Sequence, residues 1–215
     1  AAATRAEQQA NAAEAAANIA LDATRNVASA PTNELAQQAV DQACAAADQA
    51  ARAAQEAANA SAEACAHAGA IPGDVEAQAA CSRARDAASR AQAAADRARG
   101  ACQRARDIAS ISIVTICGHV TEEDPCCDDD VDGAIIEVCN VNYPEIPCAT
   151  TTTDGNGNYC VTGRFGHSSR IGCSTVRISM NSGSGWGNVS KTKQIAVCSN
   201  SPANVNFSFD APGSE

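Results

Sequence analysis

Cysteine offers the most chemistry in this 215-residue chain: twelve are present, against only three histidines, His67, His119 and His167. A zinc site needs thiolates and imidazoles at short spacing, and the chain has no C-x-x-C pair. An even, high cysteine count points instead to disulfides made in an oxidising, extracellular setting. Asp128-Asp-Asp-Val-Asp-Gly133 fits the opening of a calcium loop, with Asp128, Asp130 and Asp132 as oxygen donors. Its twelfth position is Cys139 where such a loop carries a bidentate glutamate, which favours a solvated acidic turn over a calcium site. Asp154-Gly-Asn-Gly-Asn158 also offers oxygens, but Asn-Gly supplies the positive φ of a tight hairpin. Trp186, in Ser182-Gly-Ser-Gly-Trp186, is placed either to stack on a glycan or surface receptor or to fold over the neighbouring strands. No nucleophile elbow, phosphate-cradling glycine loop or H-E-x-x-H occurs. With no convergent acid, base and nucleophile to name, the chain reads as a non-enzyme without a cofactor.

Spacing shows what must position the first four cysteines. Residues 80–107 divide into the blocks ACSRARD, AASRAQA, AADRARG and ACQRARD, and residues 43–70 into ACAAADQ, AARAAQE, AANASAE and ACAHAGA. A strict heptad keeps one stripe of a helix facing a partner. The breaker Gly69-Ala-Ile-Pro-Gly73 folds two such helices back antiparallel. Cys44 is then level with Cys102, and Cys65 with Cys81, so the hairpin is expected to be stapled at both ends. Alanine lines the seam at Ala84, Ala91, Ala98 and Ala105 and at Ala43, Ala50, Ala57 and Ala64. Such small side chains let backbones approach to the ~4.4–6.8 Å between Cα atoms that a disulfide spans. In the same register Asp41 faces Arg106 and Asp48 faces Arg99, while Arg83, Arg90, Arg97 and Arg104 form an outward column.

The whole of 1–110 reads as an alanine-rich helical bundle, with 46 alanines and no aromatic residue. Its helices are expected over about 3–29, from Thr32 or Asn33 to Gly69, and from Asp74 to about Ala109. The first has weak periodicity, with Ile19, Leu21 and Val27 as its larger apolar residues. It either completes a three-helix bundle or packs on a neighbouring chain.

From Ile111 the pattern changes to period two. Strands are expected over 111–120, 133–141, 148–153, 158–163, 173–181, 190–198 and 203–209, which suggests a seven-stranded β-sandwich. The chain is thus an α+β protein of two domains, 1–110 and 111–215, with no Gly/Pro linker between them, so a rigid junction is expected. The second domain holds Cys117, Cys126, Cys127, Cys139, Cys148, Cys160, Cys173 and Cys198. Eight cysteines allow 105 pairings, and the sequence does not choose among them. Adjacent Cys126 and Cys127 are poorly placed to bond each other, and one of them could reach a neighbouring subunit.

Gly118-His-Val-Thr121, Asp132-Gly-Ala-Ile-Ile-Glu-Val138 and Thr151-Thr-Thr-Asp-Gly-Asn-Gly-Asn-Tyr159 together resemble the carboxypeptidase-regulatory-like and collagen-adhesin B-type repeat domains. That resemblance implies a prealbumin-like Greek-key sandwich serving as a stalk, pilin module or surface spacer. Modules of the adhesin group often carry a Lys–Asn cross-link between first and last strands. The only lysines here, Lys191 and Lys193, lie in the penultimate expected strand, so that link is not expected and cysteines take its place. The helical half has the general look of bacterial envelope or spore-surface proteins.

Net charge is −10, which argues against nucleic acid and against an anionic membrane surface as partners. No apolar run approaches the ~20 residues that span a bilayer. The sequence-based expectation is an extracellular structural protein at a cell or spore surface. Its partner is itself: it is the repeating subunit of a disulfide-hardened fibre or appendage. The alternative is a secreted adhesin with a helical stalk.

Overall fold

The computed structural model describes residues 1–123, 128–167, 173–198 and 203–210, apart from the His167 side chain. The chain divides into two compact units, Ala1–Ala109 and Ser110–Glu215, one residue from the expected boundary.

The first unit is three helices, α1 (Ala2–Ser29), α2 (Asn33–Ala70) and α3 (Val75–Ala109). Local chemistry sets their ends. Ala30 is extended because Pro31 follows it. Thr32 caps α2 by accepting from the Leu35 N–H at 3.3 Å. Asp74 caps α3 by accepting from the N–H groups of Glu76 and Ala77 at 2.9 and 3.0 Å. At 38 residues, α2 runs about 57 Å.

All three helices pack on one another around a core of alanine. In α1 the buried stripe is Ala3, Ala6, Ala10, Ala13, Ala17, Ala20, Thr24 and Val27, a full heptad seam. Ile19 and Leu21 are exposed, so side-chain size misleads about which face is inside. A leucine would hold the backbones apart where an alanine lets them close. Thr24 shows how close they are: its hydroxyl reaches both Ala20 O, one turn back, at 2.9 Å and Ala101 O of α3 at 3.0 Å.

The α2–α3 seam departs from expectation on one side. In α3 the expected positions are buried, as are Ala43, Ala50, Ala57 and Ala64 of α2, but Ala51 and Ala58, which repeat the Cys44 and Cys65 position at heptad spacing, are exposed while Ala46, Ala53 and Ala60 are buried. The buried face of α2 extends to that side because α2 packs on α1 as well as α3. The expected pairs Asp48–Arg99 and Asp41–Arg106 are absent among the described residues. Arg99 pairs with Asp96 at 3.1 Å, and Asp41 accepts from Gln37 at 2.9 Å. Neighbours three or four residues away on one helix are nearer than a residue across a groove. The cross-helix ion pairs instead tie down α1: Glu7 to Arg83 at 3.7 Å, Glu14 to Arg90 at 3.6 Å, and Glu63 to Arg5.

The second unit has nine described strands, two more than expected: β1 (Ile111–Glu123), β2 (Asp129–Asp130), β3 (Ile135–Asn140), β4 (Ala149–Thr152), β5 (Asn158–His167), β6 (Ser174–Asn181), β7 (Ser190–Val197), β8 (Ala203–Asn204) and β9 (Phe207–Asp210). The extra ones are β2, inside the acidic run, and the division of the last strand at Val205-Asn206. One sheet is built on β1, which pairs antiparallel with β2 and β5 and parallel with β8 and β9. The other has the order β4-β3-β6-β7, antiparallel throughout. Ile116, Val120, Val161, Phe165 and Phe207 of the first sheet share one core with Ile136, Val138, Val176, Ile178 and Met180 of the second.

Two contacts draw the C-terminal strands onto β1. Tyr159 donates to Val205 O at 2.6 Å. Gly118 admits the same segment, since a Cβ there would lie 1.9 Å from Val205 O. Lys191 and Lys193 of β7 donate to Ser208 O and Asn206 O, and Lys193 lies 5.1 Å from the Phe207 ring centre. At the start of β1, buried Arg164 donates to Ile111 O at 3.1 Å, and burial pushes its guanidinium pKa down.

Candidate functional site

The cysteines are built into the register of the fold. Cys44 is bonded to Cys102 with Cα atoms 4.7 Å apart, and Cys65 to Cys81 at 4.5 Å; these are the two pairs that mirror-image spacing selects. In the β unit the bonds are Cys117–Cys160, Cys139–Cys148 and Cys173–Cys198. Each follows from strand pairing. Cys117 stands directly opposite Cys160 in the β1–β5 ladder. Val138 faces Ala149, so the next rung is Cys139 with Cys148. Ser174 faces Val197, so the next rung is Cys173 with Cys198.

One rule therefore covers all five bonds: each joins two residues level with each other on neighbouring antiparallel elements. The sequence could not pair the β-unit cysteines because their registers were not readable from it. Level strand residues suit the bond, since their Cα atoms stand about 4.5–5.5 Å apart. All five bonds have at least one member that is only partly covered: Cys148, Cys160 and Cys173 are exposed, and Cys44 and Cys65 are half-buried. Their partners Cys81, Cys102 and Cys139 are buried, so the staples clamp the backbone at the margin of each core. Ten of the twelve cysteines are used this way. The remaining two, Cys126 and Cys127, lie outside the described residues.

The acidic run meets a second feature at one end of the first sheet. Asp130 pairs through β2 with Thr121 of β1, which brings its carboxylate Oδ1 to 2.9 Å from His119 Nε2. The same ring nitrogen lies 2.8 Å from Asn156 O. The Asp154–Asn158 hairpin presents that carbonyl: Asp154 accepts from the N–H groups of Asn156 and Asn158 at 3.0 and 2.9 Å. Gly157 sits at φ +70°, and a Cβ there would lie 2.8 Å from His119 Nε2. The His119 N–H donates to Asn206 Oδ1 at 3.1 Å.

Asp128 and Asp132 do not join this group. Among the described residues the only trio of possible metal-binding side chains is Glu137, Cys139 and Cys148. Two of its members are bonded to each other, so that trio has no free thiolate. His67 lies with Glu63, Asp74, Glu76 and Arg83 around an open pocket of about 450 Å³ at one end of the bundle. Trp186 ends a short turn (Ser184–Trp186), packs partly buried against the β core and donates through its indole N–H to Asp132 O at 3.2 Å.

No known family pattern and no curated protein matches the chain. Among solved structures it is similar to the dioxygenase domain of a dioxygenase–carbohydrate-binding fusion from Streptomyces sp. SirexAA-E, with 12% identity over 46% of this chain and 80% of that chain and a TM-score of 0.33. It is also similar to a 9R-lipoxygenase from Cyanothece PCC8801, with 13% identity over 47% of this chain and 17% of that chain and a TM-score of 0.28. Among the described residues no helix is long and apolar enough to cross a membrane.

Proposed function

We propose that this chain is an extracellular structural subunit, without catalytic activity, that assembles with copies of itself into a fibre or surface appendage. The single observation that carries this reading is the level cross-linking of both units by five disulfides. In the helical unit these bonds hold a core of alanines that buries little apolar area. Covalent bracing of antiparallel neighbours in both units suits a part that must resist heat, denaturant and protease in an oxidising setting. The β unit serves in this reading as a prealbumin-like Greek-key sandwich that spaces or caps the helical rods. The tryptophan that could have stacked on a glycan is engaged by the β core, which favours the subunit over an adhesin.

Since ten cysteines are closed within the chain, any covalent bond between subunits falls to Cys126 and Cys127. Native material run on non-reducing and reducing gels tests the proposal. A ladder of multimers that collapses on reduction, and is lost in a Cys126→Ser/Cys127→Ser variant, supports it. A single monomer band under both conditions, together with saturable binding to a host surface or glycan, supports the adhesin instead.

A further inference from the structure

The geometry points to a divalent-cation site built from His119 Nε2, Asp130 Oδ1 and Asn156 O, which shares Asp130 but not Asp128 or Asp132 with the acidic loop and is independent of any role in a fibre. Two oxygens, one of them anionic, stand 2.9 and 2.8 Å from one imidazole nitrogen. A neutral ring offers at most one N–H at that atom, and both neighbours are acceptors. Ligand atoms at about 2.1 Å from a six-coordinate ion lie about 3 Å from one another along each edge. The two separations have that size.

The three donors come from separate elements, each held in place by its own bonds. His119 is on β1, its main chain fixed by Asn206. Asp130 is placed by the β1–β2 pairing. The Asn156 carbonyl is aimed by a hairpin closed on Asp154. Gly157 leaves room for the ring where any side chain would collide with it. Asp128, Asp129 and Asp132 add exposed carboxylates in the same segment, and that field favours a cation. One imidazole with two oxygens suits a borderline first-row ion such as Zn²⁺, Co²⁺ or Mn²⁺ more than Ca²⁺. The imidazole enters as its Nδ1–H tautomer, giving the Nε2 lone pair to the metal, and water completes the shell.

The test titrates Co²⁺, Zn²⁺ and Ca²⁺ into the oxidised full-length chain by calorimetry, with visible absorption for Co²⁺, beside His119→Gln and Asp130→Asn. Circular dichroism in chelator verifies that each variant is folded. The expected result is one ion per chain, affinity at least about ten-fold weaker in each variant, and Co²⁺ bands without sulfur-to-metal charge transfer. Three outcomes overturn the assignment: no saturable binding to the parent chain, binding unchanged in both variants, or a thiolate charge-transfer band that places the ion on sulfur. Calcium binding that is indifferent to His119→Gln also overturns it, since that result returns the cation to the aspartate loop. If His119→Gln fails to fold, Asp130→Asn decides the question, because residue 130 is exposed.

Discussion

Removing one helical staple at a time measures how far the bundle depends on sulfur. Cys44–Cys102 closes a separation of 58 residues and Cys65–Cys81 one of 16. The loop-entropy relation assigns them about 4 and about 3 kcal/mol, by restricting the unfolded chain. The smaller loop is nested in the larger, but the intervening chain is still long enough that the outer bond keeps a value near 4 kcal/mol. Together they match about nine buried methyl groups at about 0.8 kcal/mol each, in a core whose side chains are nearly all single methyls. The full-length variants Cys44→Ala/Cys102→Ala and Cys65→Ala/Cys81→Ala are unfolded in urea while helix content is followed by far-UV circular dichroism. The expected losses are about 4 and about 3 kcal/mol, and the first shifts the helical melting midpoint by about 15 °C or more. Losses below about 1 kcal/mol in both, or a larger loss from the shorter loop, would refute the argument that these bonds act through loop closure on a weak alanine core.

Three further results are expected. Thr24→Val keeps the shape but removes the hydroxyl that reaches Ala20 O and Ala101 O, and should cost about 1 kcal/mol in the same urea assay. Gly118→Ala places a methyl on Val205 O; hydrogen exchange should speed up across Phe207–Asp210, with about 1–3 kcal/mol lost from the β unit. Tyr159 has its phenol pushed by burial from 10.0 to about 12, and only the neutral form donates to Val205 O. Its contribution is therefore complete below pH ~10 and disappears as pH rises through about 12. The β unit should lose stability across that window by denaturant titration, and Tyr159→Phe should flatten the dependence.

The helical hairpin was legible because its signal is periodic and its cysteines are mirror images about the Gly69–Gly73 break. Helix ends were readable within a residue or two from Pro31, Thr32 and Asp74, since capping and ring sterics act locally. The role of α1 was not legible by weighing apolar size: Ile19 and Leu21 point to solvent, and the seam is written in alanine at every third and fourth place. In the β unit, alternation located the strands but not their partners. Register comes from which strands meet, a long-range matter, and the cysteine pairs follow only once it is known. Asp129–Asp130 pairs with β1 through main-chain groups, a role that side-chain chemistry does not announce. The His119 cluster joins residues 119, 130 and 156, and no spacing rule connects them. The Asp-Gly-Asn-Gly hairpin beside His119 was its one visible trace.

Electron microscopy of the oxidised protein, purified from its native source and concentrated, tests the assembly claim most directly. Filaments or ordered appendages with a regular subunit repeat, preserved in denaturant and disassembled when reductant is added, are the predicted result. Dispersed single particles at every concentration, with or without reductant, would contradict it.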